Sequence, residues 1–112
     1  MQPRAAELKG STRFITTGCG KLYTTINKDE NGKVYEVFAT LGKAGGCASC
    51  QNEAIGRLIS IALQHGADPI AIVKTLKGLR CHLSDTDNDI HSCAQAVAIS
   101  LEQYGDNDES GK

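Results

Sequence analysis

The periodicity of this chain changes once, and that change limits the folds open to it. From Thr12 to Leu41, β-branched, aromatic and apolar residues alternate with polar ones, the two-residue repeat of a strand with one buried face. After Gly45-Gly46, apolar residues return every three or four positions, the repeat of a helix. Strands gathered first and helices gathered afterwards do not build a parallel βαβ sheet. The expected fold class is therefore α+β, a three-stranded antiparallel sheet packed against about three helices.

The strands are read as Ser11 to Thr17, Lys21 to Asn27 and Lys33 to Leu41. Leu22, Thr24 and Ile26 share one face of the second strand, and Tyr35, Val37, Ala39 and Leu41 share one face of the third. Gly18-Cys19-Gly20 predicts a tight turn or bulge that presents a thiol, and Asn31-Gly32 predicts a hairpin turn. The first helix carries Ala54, Ile55, Leu58, Ile59, Ala62 and Leu63 as a stripe, which Cys47 and Cys50 extend backward, and Gly66 stops it. Asp68-Pro69 opens a second helix as N-cap and first helical residue; Ile72, Val73 and Leu76 face inward, and Gly78 ends it. Ser92 is the expected N-cap of a last helix with Ala94, Val97, Ala98, Leu101 and Tyr104 on one stripe. Residues 1–10 read as a flexible arm, 11–104 as one domain, and 105–112, acidic and without apolar anchors, as a disordered tail.

Composition narrows the function. The 112 residues suit one small domain, and 12 Lys plus Arg against 13 Asp plus Glu give no field of one sign, which argues against binding a nucleic-acid backbone. No apolar run is long enough to cross a membrane, and the polar start lacks a signal peptide's apolar stretch, so a cytoplasmic location is expected. In such a reducing compartment, 5 cysteines point to metal ligation or redox chemistry before disulfides.

Four of them, Cys19, Cys47, Cys81 and Cys93, stand in turns or at helix starts and not inside apolar runs. The glycines before Cys47 let the backbone turn sharply and deliver a thiol to a helix N-terminus, where N–H groups and the helix dipole favour thiolate. Four soft thiolates favour zinc, with an iron–sulfur cluster as the alternative, over harder cations. Cys50 is the odd cysteine. It reads as a core-facing residue on the helix stripe, or else as the second half of a Cys47-x-x-Cys50 redox pair. His82 and His91 stand beside Cys81 and Cys93 and are either substitute ligands or surface residues. His65 reads as a helix-end cap. The Gly42–Gly46 loop could hold a phosphate at a helix N-terminus, but it matches neither phosphate-binding fingerprint. Asp85, Asp87 and Asp89 resemble the start of a calcium loop without its glycine or terminal glutamate. No residues are assigned as catalytic.

Thr17-Gly-Cys-Gly-Lys-Leu-Tyr23, Glu36-Val-Phe38, Leu41-Gly-Lys-Ala-Gly-Gly-Cys47, Glu53-Ala-Ile-Gly-Arg-Leu-Ile-Ser60, Leu76-Lys-Gly-Leu-Arg-Cys81 and Ser92-Cys93 resemble the TSCPD domain. That domain stands near the C-terminus of adenosylcobalamin-dependent (class II) ribonucleotide reductases and also occurs alone. Where the name-giving motif reads Ser-Cys-Pro-Asp, this chain has Ser92-Cys93-Ala94-Gln95, and Arg-Cys-Pro becomes Arg80-Cys81-His82. The resemblance implies an accessory module in deoxyribonucleotide synthesis, with a reductase catalytic subunit as partner and a nucleotide as a further ligand. It does not imply the reductase's radical engine, so adenosylcobalamin is not expected on this chain, nor activity by itself. The order of hairpin sheet, Gly-Cys loop and late cysteine is also similar to U-type iron–sulfur scaffold proteins. A free-standing nucleotide- or small-anion-binding protein and a cluster scaffold or thiol redox carrier are the alternative readings.

Overall fold

The computed structural model describes residues 6–42, 46–80, 90 and 92–110, with the backbone alone at 46, 47 and 105–110. The element order is β1 (Lys9–Thr17), β2 (Gly20–Lys28), β3 (Val34–Leu41), α1 (Gly46–Gln64), α2 (Pro69–Lys77) and α3 (Cys93–Ser110). The strands form one antiparallel sheet in the order β1-β2-β3, so the expected α+β architecture is what the chain builds. β1 starts at Lys9 and not at Ser11, because Lys9 and Gly10 continue the ladder opposite Lys28 and Asn27. α3 runs on to Ser110 through residues that, on composition, read as a tail. Its earlier turns are fixed by packing, and each added residue then gains a helical hydrogen bond without a new nucleus.

Local chemistry explains the turns. Gly18-Cys19 is a two-residue hairpin turn closed by the Thr17–Gly20 pair, and Gly20 takes a φ of 132° that disfavours other residues. Between β2 and β3, the carboxylate of Asp29 accepts from the N–H groups of Asn31 (2.9 Å) and Lys33 (3.0 Å). α2 opens as the sequence predicts, with Asp68 accepting from the Ile70 N–H at 3.0 Å and Pro69 in the first turn. Ser92 caps α3 by accepting from the Gln95 N–H at 2.9 Å.

One face of the sheet supplies Leu22, Thr24 and Ile26 from β2 with Val37, Ala39 and Leu41 from β3. Beneath it lies α3, whose Ala94, Ala96, Val97, Ala98, Ser100 and Leu101 are all buried. The alanines let its backbone come close to the sheet on one side and to α2 on the other. Val73 of α2 is buried there, Ile72 and Leu76 pack against the same core, and Lys77 pairs with Glu102 of α3 at 2.9 Å. Lys28 is buried on this face with its ammonium 4.2 Å from the Tyr104 ring centroid, an electrostatic partner that offsets part of its desolvation.

α1 does not lie flat on the sheet. It runs along the outer edge of β3, where Ser60 Oγ accepts from the Val37 N–H at 2.9 Å and shares its proton between the Val37 carbonyl at 3.1 Å and the Gly56 carbonyl at 3.0 Å. Gln64 donates to the Tyr35 carbonyl at 3.3 Å. Gly56 lets the backbones touch: a Cβ there would stand 2.9 Å from the Val37 oxygen. Gly56, Ser60 and Gln64, four residues apart, therefore form the contact row, which the buried Asn52 continues one turn earlier, and Ile55, Ile59 and Leu63 turn into the core. This corrects the expected stripe, since Ala54 and Leu58 are exposed. Leu58 instead lines an open apolar groove with Ile72 and Leu76 of α2.

Candidate functional site

The Gly18-Cys19 turn, the end of β3 and the start of α3 meet at one end of the sheet. β2 begins and β3 ends at that end, where Leu22 faces Leu41 and the Gly42 N–H donates to the Lys21 carbonyl at 2.7 Å. The exit of β3 toward α1 thus sits beside the Gly18-Cys19 turn. The N-terminus of α3 arrives at the same place, with Cys93 Sγ 3.6 Å from Thr17 Oγ1.

Thr17 organises this corner. Its hydroxyl donates to the Gly20 carbonyl at 2.9 Å and accepts from the Cys19 N–H at 3.1 Å. It is 5% exposed, so the bonds are made where water competes poorly. One hydroxyl therefore fixes the turn that carries Cys19 and also touches the thiol of Cys93. Both cysteines are half-buried and pack against the core rim. Ser92 ties in a third element, because its hydroxyl donates to the Leu79 carbonyl at 2.7 Å while capping α3. The end of α2 is thereby held beside the start of α3, two residues before Cys81 in the sequence.

Of the four sequence-predicted ligands, the structure brings Cys19 and Cys93 to this corner. Cys47 lies in the first turn of α1, with its side chain outside the described residues, as is the whole of Cys81. His82, His91 and the Asp85, Asp87 and Asp89 loop also lie outside them, together with residues 43–45 of the glycine loop. Among the described residues, no group of three or more His, Cys, Asp or Glu side chains is close enough to hold a metal ion. His65 is exposed at the end of α1.

Cys50 is exposed and free, which corrects its reading as a core residue. The sequence stripe counted it with Ala54, but α1 turns the 52-56-60-64 row toward β3 and leaves Cys50 outside. Strand alternation alone gives Thr17 no role beyond an ordinary strand position. A threonine directly before Gly-Cys-Gly is the available signal, because a Ser or Thr hydroxyl commonly bonds backbone two residues on.

No described helix is long and apolar enough to cross a membrane. No curated protein and no solved structure matches the chain, so the likeness to U-type scaffolds rests on the order of sequence features alone. The TSCPD domain family does match, over residues 1–105, and that span holds the hairpin turn and the Ser-Cys helix start that form this corner, together with the Gly-Cys start of α1. With the match running through every element of the fold, the chain belongs to the TSCPD domain family.

Proposed function

We propose that the chain is a zinc-binding accessory module of an adenosylcobalamin-dependent ribonucleotide reductase, with Cys19, Cys47, Cys81 and Cys93 as ligands. Membership of the TSCPD family supports the link to that reductase, in which such domains occur. The observation that carries the metal reading is the Thr17 corner, where the turn holding Cys19 and the thiol of Cys93 meet one buried hydroxyl. The donor set fits the group, since thiols at element boundaries suit a closed tetrahedral site. When bound, zinc supplies a structural cross-link between the hairpin turn and the helix starts, with no redox change of its own. The chain's own part is to pin the thiols, through Thr17 and the Ser92 cap, before metal arrives. The reductase partner is expected to be a catalytic subunit.

Anaerobic purification with elemental analysis tests this reading. About one zinc per colourless chain is expected. Cys19→Ser and Cys93→Ser should each lose it, while Cys50→Ser retains it. Brown protein carrying iron and sulfide would favour the cluster reading, and metal-free protein with freely titrating thiols would refute metal binding altogether. The partner is tested by co-elution with a reductase catalytic subunit. A thermal-shift series with nucleotides tests the small-anion alternative, and an unmoved midpoint would count against it.

A further inference from the structure

The two edges of the sheet differ, and the difference points to a partner. On β3 the outward N–H and C=O of Val37 are met by Ser60 of α1, and the C=O of Tyr35 by Gln64. β1 is the opposite edge. Since Gly18-Cys19 is a two-residue turn, Thr17 and Gly20 form a hydrogen-bonded pair, and the alternation of an antiparallel ladder makes Ile15–Leu22, Arg13–Thr24 and Ser11–Ile26 bonded pairs as well. Gly10, Thr12, Phe14 and Thr16 then direct their N–H and C=O groups away from β2. Among the described residues nothing meets those groups. A regular edge strand with unmet donors and acceptors is a template for one more strand.

Charge decides what that strand carries. From Leu8 to Lys28 there is no Asp or Glu, while Lys9, Arg13, Lys21 and Lys28 are all cations. Lys9 and Arg13 sit on β1 itself, four residues apart and on the same face as Thr24 and Lys28. Lys9 is exposed, and Arg13 donates to the neutral amide of Gln103. A second copy pairing β1 against β1 would gather these cations at one edge with no carboxylate on either strand to meet them. A strand with carboxylates four residues apart would meet both. On the other face it would lie beside Phe14, which is 54% exposed, with Tyr23 at 5.8 Å between ring centroids and the Lys21 ammonium 5.0 Å from the Phe14 ring. Aromatic or β-branched side chains fit there.

We infer that the β1 edge is a docking site for an extended acidic segment of a partner protein, added as a fourth strand beside Gly10–Thr16. This stands apart from the metal reading and does not depend on it.

The probe is a short labelled peptide that alternates valine and threonine, with glutamates four residues apart on one face. Fluorescence anisotropy and amide NMR on the full chain read its binding. The glutamate peptide should bind and move the amide signals of Gly10, Thr12, Phe14 and Thr16, and the same peptide with lysines should bind about tenfold more weakly. Thr12→Pro removes an outward N–H without breaking a bond to β2, so it should abolish binding while circular dichroism is unchanged. Should that variant misfold, a peptide N-methylated at the amide facing β1 serves the same purpose and should not bind. Equal affinity for both peptides, binding that survives the proline or the N-methylation, or no binding at millimolar peptide would overturn the inference. So would the same amides moving with protein concentration alone, which would make the edge a self-association surface.

Discussion

Replacing Gly56 by Ala should destabilise the protein, although the general effect of that change in a helix is the reverse. Alanine is favoured over glycine inside a helix by about 1 kcal/mol. At Gly56, however, an added Cβ would stand 2.9 Å from the Val37 oxygen, 3.0 Å from the Ala39 nitrogen and 3.3 Å from the Phe38 Cα. All three are backbone atoms of a paired strand, so no side chain can rotate away. Either α1 or β3 must shift, and overpacking of this kind costs about 1–3 kcal/mol. The shift also stretches the Ser60 bonds to Val37, each worth about 0.5–1.5 kcal/mol. The net expectation is a loss of about 1–2 kcal/mol, or roughly 4–8 °C in Tm. Urea unfolding followed by circular dichroism reads it as a lower midpoint at unchanged slope. Gly78→Ala is the control, because φ is −89° and nothing lies within 4 Å of the added Cβ. It should be neutral or stabilising by about 0.4–1 kcal/mol. If Gly56→Ala is as stable as the parent, or matches Gly78→Ala, the edge-on packing of α1 against β3 is wrong.

Three further changes probe other joints. Ser60→Ala strips the buried Val37 N–H and C=O of their side-chain partner and should cost about 1–2 kcal/mol in chemical denaturation. Asp68→Ala removes the N-cap of α2 and should cost about 1 kcal/mol, with amide exchange of Ile70 faster than in the parent. Leu101→Ala opens a cavity where α3 meets the sheet and should lower stability by about 2–5 kcal/mol; a smaller loss would mean that α3 is not the central layer.

Periodicity and turn chemistry are local properties, and they determined much of this protein without the tertiary structure. The alternation of Leu22, Thr24 and Ile26 fixed the buried face of β2, since side chains of a strand alternate between faces by geometry alone. Asp68-Pro69, Gly66, Gly78 and Ser92 marked helix ends, because caps act within a few residues. The motifs that placed the chain in its family are likewise read from residue order. What the tertiary structure decided is how the elements face one another. Hydrophobic spacing could not say that α1 would turn Asn52, Gly56, Ser60 and Gln64 toward an edge strand, because that edge's unmet backbone groups exist only once the sheet has formed. For the same reason Leu58 and Cys50 belong to an apolar stripe in sequence and to the surface in space. The Thr17 corner joins residues seventy-six positions apart, and no local rule relates Cys93 to the hairpin turn. Only the antiparallel register, which returns β3 beside the Gly18-Cys19 turn, and the docking of α3 beneath the sheet bring those thiols to one place.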